Sequence, residues 1–147
     1  MNTSSKPLNI IIAEDDEDDY LLIAEALNKL DKINSIYWAK DGEELLNYLR
    51  SIEESENAQE KRPSLIILDL NMPKKDGREA LSEIKTNPMS KSIPVIILTT
   101  SQADADITQA YKLGANSFIQ KPFKYQDFKI TMEALQNYWL NIVKLPT

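Results

Sequence analysis

Five short apolar runs, each followed by a segment of helical spacing, constrain this chain more than anything else in its sequence. The runs are Leu8–Ala13, Ser35–Ala39, Leu65–Asp69, Val95–Thr99 and Ser117–Gln120. The first, third and fourth are almost unbroken Ile, Leu and Val, which is how strands buried on both faces of a parallel sheet read. The second and fifth are more polar, as edge strands tend to be. Between them lie helical stripes. Asp18–Leu30 carries Tyr20, Ile23, Ala24, Leu27 and Leu30; Glu43–Ser51 carries Leu45, Leu46 and Leu49 after an Asp41-Gly42 turn. Gly77–Thr86 carries Ala80, Leu81 and Ile84 and closes at Pro88. Asp104–Leu113 carries Ile107, Ala110 and Tyr111, with Gly114 as its expected cap. Tyr125–Val143 repeats apolar residues at Tyr125, Phe128, Met132, Leu135, Trp139 and Ile142. Its first half reads as the core face of a final helix.

Strand and helix repeated in this way predict a parallel sheet with right-handed crossovers and helices on both faces. One domain spans 8–143, with a short N-terminal tail at 1–7 and a C-terminal tail at 144–147. The charged stretch Ser51–Arg62 has no apolar period and reads as a solvated loop or a frayed extension of the second helix. In such folds the site lies at the carboxyl ends of the strands.

Composition narrows the chemistry. The chain has no histidine and no cysteine. Disulfides, thiol nucleophiles, Cys/His zinc sites and histidine general bases are therefore excluded. A bound metal must be held by oxygen, which favours Mg²⁺, Mn²⁺ or Ca²⁺. A net charge of −6 makes a poor non-specific binder of nucleic acid or anionic membrane. No apolar stretch approaches the roughly 20 residues of a membrane span, and no signal-peptide segment precedes the first run. The expected location is the cytoplasm.

The residues that follow the strands form one set. Run one ends in Glu14-Asp15-Asp16, run three in Asp69, run four in Thr99-Thr100-Ser101, and run five in Lys121-Pro122. Carboxylates gathered in one cleft repel and have raised pKa values unless a cation shares the site. Mg²⁺ is the natural remedy, because it keeps several waters and needs few protein ligands. Asp69 is then both a ligand and a candidate nucleophile, with aspartyl-phosphate as the product type. The lysine and the hydroxyl suit the equatorial oxygens of a transferring phosphoryl group.

On these residues the chain resembles the receiver domains of two-component response regulators. Glu14-Asp15, Asp69, Thr99 and Lys121-Pro122 match the family signature, as does the segment Asp69-Leu70-Asn71-Met72-Pro73-Lys74-Lys75-Asp76-Gly77. The resemblance implies a flavodoxin-like five-stranded parallel sheet in the order 2-1-3-4-5. It implies Asp69 as phosphoacceptor, Mg²⁺ held by Asp15, Asp69, the Asn71 carbonyl and, through water, Glu14, and Lys121 on the phosphoryl group. Thr99 and Phe118 are the implied switch pair, and the Lys121–Pro122 bond is expected to be cis. Asp76-Gly77-Arg78-Glu79, the long stretch before the third run and the ending Tyr138-Trp139-Leu140…Leu145-Pro146 resemble the stand-alone regulators of bacterial phytochromes. The implied partner is a histidine kinase, of phytochrome type within that subgroup. A homodimer through the fourth helix, fifth strand and fifth helix is also implied. A phosphate sink, a phosphorylation-independent adaptor and a Mg²⁺-dependent aspartyl-phosphate phosphohydrolase are the alternatives. Against the last, Asp69-Leu70-Asn71 has no acid two residues on.

Each residue also has a plain structural reading. Asp16, Asp18 and Asp19 suit a helix N-terminus. Arg78 reads as a solvated first-turn residue. Phe118 reads equally as a core aromatic, and Thr100 as either a spacer or a gate beside the site. Tyr138 and Trp139 read as a packed helix end or as interface anchors.

Overall fold

The computed structural model describes residues 7–146. The tail expected at 1–7 falls outside those residues except for Pro7, and Thr147 lies outside them as well. Five strands form one parallel sheet in the order β2-β1-β3-β4-β5. They are β1 (Leu8–Ala13), β2 (Ile33–Ala39), β3 (Leu65–Leu68), β4 (Val95–Thr99) and β5 (Ser117–Gln120). Among the described residues five helices of nine residues or more accompany them: α1 (Glu17–Leu27), α2 (Gly42–Glu53), α3 (Gly77–Thr86), α4 (Asp104–Lys112) and α5 (Tyr125–Gln136).

The sheet separates two apolar layers because successive strand residues point to opposite faces. Ile11, Ala13, Ile66, Leu68 and Ile97 pack with Leu45 and Leu49 of α2, Leu81 and Ile84 of α3, and Ala110 of α4. Ile10, Ile12, Ile67, Ile96 and Leu98 face the other way, onto Ile23 and Leu27 of α1 and Phe128, Met132 and Leu135 of α5. Every residue of β3 and β4 is buried, whereas the edge strands β2 and β5 are largely not. Gly114 ends α4 at a φ of 109°, the left-handed conformation that favours glycine there.

Two segments differ from expectation. The stretch after α2 forms one helical turn at Ala58–Lys61 with no buried residue. It is tethered rather than free. Asn9 donates from its side chain to the Glu60 and Arg62 carbonyls, and Arg62 reaches Met89 O and Ser92 Oγ. The last helix is α-helical only to Gln136 and then widens into a π-turn at Asn137–Ile142. The wider turn shifts the apolar face. Leu140, five residues after Leu135, is buried, while Ile142 is 59% exposed. Lys32 on the β2 side donates to the Leu140 carbonyl and helps hold this turn. Trp139 packs part-buried against the α1/α5 layer, and Tyr138 meets it edge-on while staying exposed.

Candidate phosphoryl-transfer pocket

Register places the site. Ala13 pairs with Leu68, so the residues that follow, Glu14 and Asp69, leave the sheet side by side. The Asp69 amide extends the ladder by donating to Ala13 O at 3.0 Å. Thr99 pairs with Gln120, so Lys121 follows one step beyond, its amide donating to Thr99 O at 2.7 Å. Glu14, Asp69, Thr99 and Lys121 are all buried there, among the few buried polar residues of the molecule.

The three acids read from the sequence converge. Carboxylate oxygens of Glu14, Asp15 and Asp69 lie within 4.8 Å of one another, with Asp15 alone exposed. Lys121 stands against this charge. Its Nζ is 2.5 Å from Glu14 Oε1, 2.9 Å from Asp69 Oδ2 and 2.9 Å from Asp19 Oδ2. One ammonium is too little for so many acids. Burial, with the Asp69 carboxylate beside it, pushes the Glu14 carboxyl up to about 8, against the pull of Lys121. Burial works against the Lys121 charge too, but Asp69 and its hydrogen bonds to Glu14, Asp19 and Asp69 outweigh that and hold it above its ordinary value.

Around this centre the backbone is tight. Asp69 Oδ1 accepts from the Asn71 amide at 3.1 Å. The Asn71 side chain donates to Thr99 Oγ1 at 3.4 Å, a long contact that links the third and fourth strand ends. Gly77 opens α3 directly on the Asp69–Leu70 backbone. A Cβ there would lie 2.3 Å from Asp69 O, so only glycine fits. Phe118 lies outside the pocket, half-buried against the α2/α3/α4 layer. Its amide donates to the Tyr111 hydroxyl at 3.1 Å, so a tyrosine of α4 supplies a hydroxyl contact at this strand edge.

Comparison with known proteins agrees with this fold. Residues 10–133 match the response regulator receiver domain. This chain belongs to that family. It is 38% identical to the response regulator Rcp1 of Synechocystis over 143 residues, covering 97% of this chain and 96% of that protein. It is also 38% identical to a probable methanogenesis regulatory protein, FilR2, of Methanothrix harundinacea, covering 95% and 88% of the two chains. The fold superposes on the phosphorylated cyanobacterial phytochrome response regulator RcpA with a TM-score of 0.87 at 40% identity, covering 95% and 99% of the two chains. It superposes on the Mn²⁺-bound form of Rcp1 with a TM-score of 0.86 at 37% identity, covering 96% and 100%.

The receiver pocket fits a hard divalent cation. Its donors are all oxygens, they are close, and the single Lys121 ammonium faces Glu14, Asp19 and Asp69 at once. Among the described residues no helix is long and apolar enough to cross a membrane.

Three readings change. All peptide bonds among the described residues are trans, including Lys121–Pro122, where a cis bond was expected. The trans form is the ordinary one for X–Pro bonds, favoured by about 0.5–1 kcal/mol. Arg78 is not merely solvated. It pairs with Asp76 and, at 3.1 Å, with Asp106 of α4, while Ser101 Oγ donates to the same Asp106 at 2.5 Å. This chain of contacts joins the start of α3 to the loop after Thr99. Asp19 reaches Lys121, although the sequence marks it only as a helix-start acid. Asp16 is the cap, accepting from the Asp19 amide at 3.0 Å. The one signal for Asp19 is its place in the first turn of a helix that opens on the pocket.

Proposed function

We propose that this receiver domain, residues 8–143, accepts a phosphoryl group on Asp69 from the phosphohistidine of a partner histidine kinase. The observation that carries the reading is the buried Asp69 carboxylate held 2.9 Å from the Lys121 ammonium, beside two further acids. An Asp69 oxygen attacks phosphorus in line. The new O–P bond forms as the P–N bond to the donor imidazole breaks, and the electron pair leaves with the imidazole. Lys121 and the Thr99 hydroxyl take the equatorial oxygens. Glu14, Asp15, Asp69 and the Asn71 carbonyl would hold Mg²⁺, which when bound neutralises charge on the phosphoryl oxygens.

The response follows from the same residues. Thr99 moves toward the phosphoryl group, Phe118 fills the space it leaves, and the surface of α4, β5 and α5 is remodelled. The two states differ by a few kcal/mol, as a switch requires. That surface is the one through which a homodimer forms. Similarity to RcpA and Rcp1 supports a phytochrome-type kinase as donor.

The test is incubation with Mg²⁺ and a small acyl phosphate, read by intact mass. One phosphoryl adduct on wild type and none on Asp69→Asn is the expected result. Sustained release of phosphate over many turnovers would make the protein a phosphohydrolase instead. No adduct under conditions that label another receiver, nor from a phosphorylated kinase, would leave an adaptor.

A further inference from the structure

Lys121 has three ammonium hydrogens and three carboxylate partners, and the partners are not equivalent. Glu14 and Asp69 also belong to the acidic cluster with Asp15. A cation or a phosphoryl group entering the pocket competes with Lys121 for both. Asp19 stands outside that cluster, on the first turn of α1, its amide fixed on Asp16 Oδ1. Its side chain is 27% exposed, against 2% for Glu14 and 7% for Asp69, so it approaches the ammonium from the open side.

We propose that Asp19 is the positioning residue of Lys121: it keeps one N–H bond of the ammonium when Glu14 and Asp69 turn to other partners. This rests on Asp69 being the phosphoacceptor. A lysine ammonium sits on a flexible four-carbon stem and has no fixed orientation of its own. Once two of its three anchors are engaged elsewhere, the third decides whether Nζ stays where a phosphoryl oxygen on Asp69 will meet it. Small misplacements of such a group slow a reaction severely. Helix stabilisation does not account for the contact. Asp16 already supplies the cap, and Glu17 and Asp18 share the first turn.

The experiment uses the full chain with Mg²⁺ and acetyl phosphate. Initial labelling rates at saturating donor are compared for wild type, Asp19→Asn, Asp19→Ser and Asp18→Asn, with Mg²⁺ affinity measured in parallel by calorimetry. Asp18→Asn removes the same charge from the same helix turn without touching Lys121. Both Asp19 variants are expected to label about tenfold more slowly than wild type. Their Mg²⁺ affinity should stay within about threefold, and Asp18→Asn should label within about twofold of wild type. Labelling of the Asp19 variants within about twofold of wild type overturns the proposal. So does an equal loss in Asp18→Asn, which would be a charge effect, or a loss that vanishes at saturating Mg²⁺, which would make Asp19 a servant of the metal. If wild type labels neither from acetyl phosphate nor from a phosphorylated histidine kinase, the phosphoacceptor reading falls, and this inference with it.

Discussion

Replacing Glu14 by Gln should make the metal-free protein more stable, and more so at neutral than at acid pH. The Glu14 carboxyl rises from an ordinary 4.5 to about 8 on folding. Below about pH 4.5 both states carry the proton and the group has no effect. Above it the unfolded chain loses the proton while the folded chain keeps it, so stability falls as pH rises, until the folded carboxyl ionises near 8. The penalty from this one group is about 1 kcal/mol at pH 5 and about 3 kcal/mol at pH 7. The side chain is 2% exposed, so solvent screening does not reduce it much. Glutamine keeps the shape and removes the titration. Urea unfolding in EDTA at pH 5, 6 and 7 measures the difference between variant and wild type, in which titrating groups remote from the pocket cancel. That difference should widen by about 2–3 kcal/mol from pH 5 to pH 7. A constant difference, or a variant less stable than wild type at pH 7, would show that Lys121 fully compensates Glu14 and that the pocket holds no excess charge.

Other perturbations test the surroundings of the pocket. Gly77→Ala should destabilise the fold by about 1–3 kcal/mol or more, because its Cβ would meet backbone atoms rather than a yielding side chain. Thermal melting checks this, and acetyl phosphate labelling should slow as the Asp69 backbone is displaced. Ser101→Ala should raise the pKa of Asp106, whose carboxyl is held below its ordinary value by the Ser101 hydroxyl first and Arg78 second. Carboxyl carbon shifts followed through acid titration read this directly, and an unchanged midpoint would mean that the hydroxyl does not engage Asp106 in solution.

Much of this molecule was legible in the sequence because its central strands are buried on both faces. Unbroken runs such as Leu65–Leu68 and Val95–Leu98 are short and rich in β-branched residues, which favours a buried strand over a buried helix segment. Strand-end residues then follow by register: once Ala13 lies beside Leu68, Glu14 must lie beside Asp69. The strand order came from family resemblance rather than from periodicity. What stayed illegible depends on contacts between distant segments. Asp19 and Lys121 are far apart in sequence, and an acid in a first helical turn looks the same whether or not it reaches a lysine. Arg78 and Asp106 belong to different helices, and neither has a local pattern that names the other. The π-turn at Asn137–Ile142 was hidden because apolar gaps of three and four residues ran on into it as far as Ile142. The buried residue is instead Leu140, whose carbonyl accepts from Lys32.

Asp69, and no other acid of the pocket, is proposed to take the phosphoryl group. Reduction of the labelled protein with borohydride converts an aspartyl phosphate to homoserine, and peptide mass locates it. Homoserine at Asp69 alone is the predicted result. Homoserine at Asp15, Asp16 or Asp19, or a phosphoryl group resistant to reduction and found on Thr99, Thr100 or Ser101, would contradict the account.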